Sequence, residues 1–171
     1  TPIPRTLALT VYGDLDLSLL GAMPPGRKLI MTEVITPDQK TTVYDEMNRE
    51  LKSGRQAYVI CPRIDAPDPT EEFALQAASV EETMVALKKG PFKEWRLGAL
   101  HSKLSQKEKD AVMERFAQHQ IDILVATSVV EVGVNVPNAT VIMIEGAERF
   151  GLSQLHQLRG RVIRSTHQAY C

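Results

Sequence analysis

Short, mostly apolar runs recur along this chain, the last two rich in β-branched residues, separated by polar breaks most of which carry a helix-start signal. That alternation limits the possible folds more than any other feature. The runs fall at 29–35, 56–61, 96–101, 123–126 and 139–144. Runs this short and this apolar suit strands buried on both faces, and strands that alternate with helices argue a parallel sheet covered by helices. Thr36, Pro37 and Gln39 form a capping-box arrangement that opens a helix to about Gly54, and Ser105 with Glu108 forms another whose helix places Val112 and Phe116 on one face. Ser79 with Glu82 predicts a helix to Lys89. The preceding stretch, 65–78, carries Pro67, Pro69 and several acidic residues and reads as a surface loop.

Residues 1–28 differ from the rest of the chain. A mostly apolar segment after Pro2 and Pro4 predicts a short helix, 15–20 alternates as a half-buried strand does, and Pro24-Pro25-Gly26 breaks the chain. The 171 residues suffice for one domain with a substantial core, and no apolar run approaches the roughly 20 residues of a membrane span. No signal segment opens the chain, so the expected location is the cytoplasm. A net charge of −1 leaves any nucleic-acid contact to a local patch. Cys61 and Cys171, with His101, His119, His156 and His167, show no ligand spacing, and no metal is expected.

The last predicted helix, with Ser153 as its N-cap, carries the most chemistry. Helical spacing puts Gln157, Arg161 and Arg164 on one stripe beside Gly160, and Leu155, Leu158 and Val162 on the opposite side. Guanidinium forks held together suit phosphate oxygens, so a phosphate clamp is one reading and a solvated basic face the other. In a parallel sheet, ligands bind outside the carboxyl ends of the strands. The candidate contacts there are Arg63, His101, Lys103, Thr127 and Ser128, although hydroxyls more often cap helices and a loop arginine is more often solvated.

At these residues the chain resembles a known family. Gln157-Leu158-Arg159-Gly160-Arg161-Val162-Ile163-Arg164 is similar to the sixth motif of superfamily-two helicases, and Val125 to Ser128 through Gly133 to Pro137 is similar to the fifth. Thr1 to Thr6 resembles the end of the third, and Gly13-Asp14-Leu15-Asp16 with Pro24-Pro25-Gly26-Arg27 resembles the bacterial branch-migration helicases. The resemblance implies a RecA-like lobe over 29–171, the second of a two-lobed motor, with 1–28 as the tail of the first. It implies ATP and Mg2+ bound mainly by the absent first lobe, DNA, branched in kind, as a partner, and that first lobe as another. Arg161 and Arg164 become catalytic with Gln157 placing them; Gly133, Asn135 and Gly160 face the nucleotide; Thr127, Ser128, Arg63, His101 and Lys103 face DNA.

The chain departs from the family pattern at Ser102 and Ile163, where glycine is usual, and at Asn135, where aspartate is usual. No G-x-x-x-x-G-K-[ST] occurs, and Asp45-Glu46 sits in a helical pattern, so this chain offers half of an ATP site. The function implied is an ATP-dependent DNA helicase acting in recombination and repair, the fragment alone being inactive. A transcription-repair coupling translocase and a non-enzymatic α/β binding module are the alternatives.

Overall fold

The computed structural model describes residues 28–62, 68–127, 136–162 and 167–171. The expectations for 1–27 therefore lie outside the described residues. Four strands, β1 (Gln56–Ile60), β2 (Leu97–Leu100), β3 (Ile123–Ala126) and β4 (Ala139–Ile144), form one sheet in the order β2-β3-β1-β4. Each neighbouring pair runs parallel, as the alternation of strand and helix signals requires.

Side chains along each strand alternate between two cores. Tyr58, Ile60, Leu124, Ala126 and Ile142 face one side, packed with Met113 and Phe116 of helix α3 (Gln106–Ala117) and Leu158 of helix α4 (Leu152–Arg159). Ala57, Val59, Ile123, Val125, Val141 and Met143 face the other, packed with Met47 and Leu51 of helix α1 (Lys40–Lys52) and Val80 and Leu87 of helix α2 (Pro69–Lys89). Burying a large apolar side chain stabilises by about 1.5–3 kcal/mol, so two such layers hold the sheet from both sides. This is the expected parallel sheet with helices on both faces.

Local signals account for most helix starts. Thr36 N donates to Gln39 Oε1 at 2.9 Å before a 3-10 turn at Pro37–Gln39, which leads into α1. Ser105 N donates to Glu108 Oε2 at 2.8 Å, and Glu108 N returns a bond to Ser105 Oγ at 3.4 Å, the reciprocal pair that opens α3.

Three expectations are corrected. The loop expected over 65–78 is helix from Pro69 onward, with Asp68 as N-cap accepting from Thr70 N at 2.8 Å. Proline lacks an N–H that the first helical turn does not use, so here it starts a helix instead of breaking one, and Ser79 lies inside that helix. The strand expected over 29–35 shrinks to a bridge at Met31 on Tyr170, with Met31 N donating to Ala169 O at 3.0 Å. Leu29 and Val34 are exposed, so this stretch forms an outer fringe of the sheet beside 169–171. Helix α4 starts two residues early, with Gly151 as N-cap, and ends at Arg159 with Gly160 as C-cap.

Candidate functional site at the carboxyl edge of the sheet

The strand register decides which side chains meet. Leu100 is level with Ala126, Ala126 with Ile60, and Ile60 with Ile144, so all four strands end in one row. The next residues continue it: Thr127 N donates to Leu100 O at 3.4 Å, Cys61 N to Ala126 O at 2.8 Å, and Glu145 N to Ile60 O at 2.9 Å. His101, Thr127, Cys61 and Glu145 thus stand side by side along the carboxyl edge. The sheet brings His101 and Thr127 onto adjacent strand ends, 26 positions apart in sequence, which spacing alone does not reveal.

The two halves of this row differ chemically. At the β1–β4 half the polar groups are paired. Glu145 binds Lys40 Nζ at 2.6 Å, the ammonium lies 5.9 Å from the Tyr44 ring centre, and the Cys61 thiol donates to Thr83 Oγ1 at 3.4 Å. Burial would pull the Lys40 ammonium down, but Glu145 holds it above its ordinary value; burial pushes the Cys61 thiol up, which keeps it protonated. At the β2–β3 half, Thr127 Oγ1, His101 Nδ1 and Ser102 Oγ are buried without hydrogen-bond partners among the described residues. Burial also lowers the His101 pKa, so its imidazole is neutral at pH 7. Lys103, in the turn after His101, is exposed.

The second group of expected residues lies at the end of α4. Leu155, Leu158 and Val162 pack into the core, as their spacing predicts. Gln157, Gly160 and Arg161 are half-buried. Arg161 stands just beyond the helix: Arg161 N bonds Leu158 O at 2.9 Å and Val162 N bonds Arg159 O at 3.4 Å, the tighter spacing of a 3-10 turn. The expected continuous stripe from Gln157 to Arg164 is therefore broken at Gly160, where a glycine weakens helix continuation. The Arg161 guanidinium has no acceptor among the described residues. Arg164, Gly133, Asn135, Ser128 and Arg63 lie outside the described residues.

Sequence reasoning did not single out Ser102 as a contact, nor Lys40 and Glu145 as a pair. Position immediately after a strand's last residue is the signal that would have found Glu145, and the row itself the one that finds Ser102. No helix among the described residues is long and apolar enough to cross a membrane.

Comparison with known proteins identifies the family and the fold. The helicase conserved C-terminal domain matches residues 38–166. The chain is 52% identical over 171 residues to the ATP-dependent DNA helicase RecG of Staphylococcus epidermidis, covering 100% of this chain and 24% of that protein. It is 51% identical over 171 residues to the ATP-dependent DNA helicase RecG of Synechocystis sp., covering 100% of this chain and 20% of that protein. A solved structure of RecG bound to a three-way DNA junction superposes with a TM-score of 0.79 at 46% identity, covering 100% of this chain and 21% of that one. Domain 2 of the DEAD-box helicase Mss116p, bound to an RNA duplex, shares the fold with a TM-score of 0.59 at 19% identity, covering 82% of this chain and 50% of that one. The chain thus spans about a quarter of the length of the curated relatives it matches. With a four-stranded parallel sheet layered by helices on both faces, and with that match across most of its length, the chain belongs to the helicase conserved C-terminal domain family and has the RecA-like fold of its RecG relatives.

Proposed function

We propose that residues 29–171 form the second motor lobe of an ATP-dependent DNA helicase of the RecG kind, which remodels branched DNA in recombination and repair, and that 1–28 are the tail of the first lobe. The observation that carries this reading is the β2–β3 half of the carboxyl edge, where Thr127 and His101 present buried polar atoms with no partner among the described residues. Similarity to RecG over the whole chain favours it over a related translocase or a non-enzymatic module.

In this reading Thr127, with Ser128, donates hydroxyl hydrogen bonds to DNA phosphates, and His101, Lys103 and Arg63 add to the same contact. Phosphate contacts hold a strand without reading its sequence, as a translocating lobe needs. Arg161 and Arg164 are directed across a cleft at the ATP bound by the other lobe, with Gln157 placing them and Gly133, Asn135 and Gly160 lining the approach. A guanidinium against the γ-phosphate stabilises charge that develops as the terminal phosphoryl leaves. ATP, when bound, supplies the free energy of its hydrolysis. Among the described residues no three His, Cys, Asp or Glu side chains stand together as a metal site. We assign the magnesium ion to the other lobe, beside the nucleotide phosphates it would bridge.

Steady-state ATP hydrolysis by the full-length protein, with and without branched DNA, tests the assignment beside Arg161→Ala and Arg164→Ala. DNA-stimulated turnover in the wild type and its loss in both variants is the expected result. Turnover equal to wild type in both would remove the arginines from the reaction.

A further inference from the structure

Ser102 has no part in the contacts assigned above, yet its hydroxyl oxygen is buried and lacks a hydrogen-bond partner among the described residues, as do His101 Nδ1 and Thr127 Oγ1. A buried polar atom with nothing to bond costs about 1–3 kcal/mol, and folds retain such atoms mainly where something outside the chain satisfies them. These three are not scattered. His101 and Ser102 follow β2, Thr127 follows the adjacent β3, and Thr127 N bonds the β2 residue Leu100. Two of the three residues are nine-tenths buried or more: His101 is 8% exposed and Thr127 0%.

The chemistry of the set narrows what it takes. Each hydroxyl carries one O–H donor, and a neutral imidazole carries one N–H on either nitrogen. The residues around His101 supply charge of both signs: Lys103 and Lys109 on one hand, Glu81 and Glu108 on the other. Glu108 is already engaged, its carboxylate accepting from Ser105 N and Oγ at 2.8 and 2.7 Å. Uncharged donors on adjacent strand ends, with exposed Lys103 next in the chain, suit an oxygen that carries a delocalised negative charge and several lone pairs. Phosphate oxygen has that character.

We infer that Ser102 is a further DNA-binding residue, its hydroxyl donating to a non-bridging oxygen of the phosphodiester that Thr127 also holds. This rests on the DNA reading of the edge proposed above. A hydroxyl immediately after the strand-end histidine gives β2 its own phosphate ligand, so one phosphate is gripped from two adjacent strands. A nucleotide's phosphates present the same oxygens, and the test separates the two sources.

The experiment compares full-length wild type with Ser102→Ala, Ser102→Thr and Thr127→Val. It measures affinity for a fluorescein-labelled branched oligonucleotide, affinity for a fluorescent ATP analogue, and thermal unfolding. Ser102→Ala should weaken oligonucleotide binding by about tenfold, the loss of one hydrogen bond to a charged acceptor. Ser102→Thr, which keeps the hydroxyl, should bind more tightly than Ser102→Ala. ATP-analogue affinity and melting temperature should not fall in Ser102→Ala, because the hydroxyl removed has no partner among the described residues. Wild-type oligonucleotide affinity in Ser102→Ala with a loss in Thr127→Val would overturn the Ser102 assignment alone. Wild-type affinity in both would overturn the DNA reading of the edge as well. A lower melting temperature would give the hydroxyl an internal role, and weaker analogue binding with intact oligonucleotide binding would give it to the nucleotide; either result refutes the inference.

Discussion

Replacing Asp122 with alanine should destabilise the chain by about 2–4 kcal/mol. The Asp122 carboxylate is 7% exposed and accepts from a single residue three times: from the Arg96 backbone amide at 2.8 Å, from Nε at 2.9 Å and from Nη2 at 2.6 Å. His119 Nε2 lies a further 3.4 Å from it. The Arg96 side chain is 56% exposed, so solvent screening limits its share to about 1 kcal/mol or less. The amide bond to a charged acceptor contributes about 1.5–3 kcal/mol, which sets the total. Burial would raise the Asp122 pKa, but the Arg96 bonds outweigh it and hold the carboxyl below its ordinary value. A depressed carboxylate contributes its full stability above the unfolded-state pKa, about 3.9, and loses that contribution as pH falls through the folded-state value. Urea unfolding at pH 7 and in acid checks both parts. The gap between wild type and Asp122→Ala should be wide at neutral pH and should narrow in acid. A gap under about 1 kcal/mol at pH 7, or one that does not change with pH, would refute the reasoning.

Three further outcomes are expected. On the proposed reading, Arg161→Ala in the full-length protein should lower ATP turnover by about 10³-fold while leaving oligonucleotide binding intact, measured by coupled ATPase assay and anisotropy. Thr127→Val, nearly isosteric at a residue 0% exposed, should leave unfolding free energy equal or higher by about 1 kcal/mol and weaken DNA binding; a less stable variant would mean that the hydroxyl has an internal partner. Because burial lowers the His101 pKa, the unfolded chain takes up a proton that the folded chain resists, so stability should fall as pH drops below about 6.5. His101→Gln should fall less over the same range, read as the difference in urea midpoint between neutral and mildly acid buffer.

How much of the fold is legible in the sequence depends on where each signal resides. Strands such as 123–126 and 139–144 are β-branched and bounded by turn residues, and the Ser105–Glu108 box is a pattern three residues long, so local chemistry is sufficient for both. Pro69 misleads because proline marks both breaks and first turns, and only Asp68 ahead of it separates the two. The early end of α4 is hidden because Gly160 keeps helical dihedrals while the hydrogen bonds tighten, a distinction that helical spacing does not encode. Strand order is set by long-range pairing, so the juxtaposition of His101 with Thr127 and the exposure of Val34 are beyond the reach of local patterns. The Asp122–Arg96 clamp joins the starts of two strands and has no sequence signature at all.

The two ends of the sheet argue for its use. At the amino end, Gln56 Nε2 donates to Phe116 O and Ile121 O at 2.6 and 2.7 Å, Asn138 Nδ2 donates to Gly54 O at 2.8 Å, Arg55 Nη1 reaches Asn138 Oδ1 at 2.9 Å, and Asp122 holds Arg96. Buried polar groups there are satisfied by the chain itself, which fixes the register with which β1 and β3 begin. At the carboxyl end of the same strands, the buried atoms left without partners among the described residues belong to His101, Ser102 and Thr127. The strands β1 and β3 are buried along their whole length, so burial of these strands does not by itself explain the difference. The β1–β4 half of the carboxyl edge is closed by its own pairs, and on the reading proposed above the donors of the β2–β3 half are the ones an external ligand would meet. The rigid, satisfied end is what keeps them in place: the clamp at Asp122 sets the β2–β3 register that brings His101 level with Thr127 at the far end of the two strands. Loss of that register should therefore cost DNA affinity as well as stability, and Gly98, where an added Cβ would lie 2.6 Å from Ile121 Cδ1, is the position to test it. Gly98→Val sets a side chain against the buried Ile121 side chain, so that Ile121 or β2 must shift, without touching any proposed DNA ligand. A variant that remains folded by circular dichroism should bind the branched oligonucleotide more weakly than wild type; unchanged affinity would show that the donors at the edge do not depend on strand register.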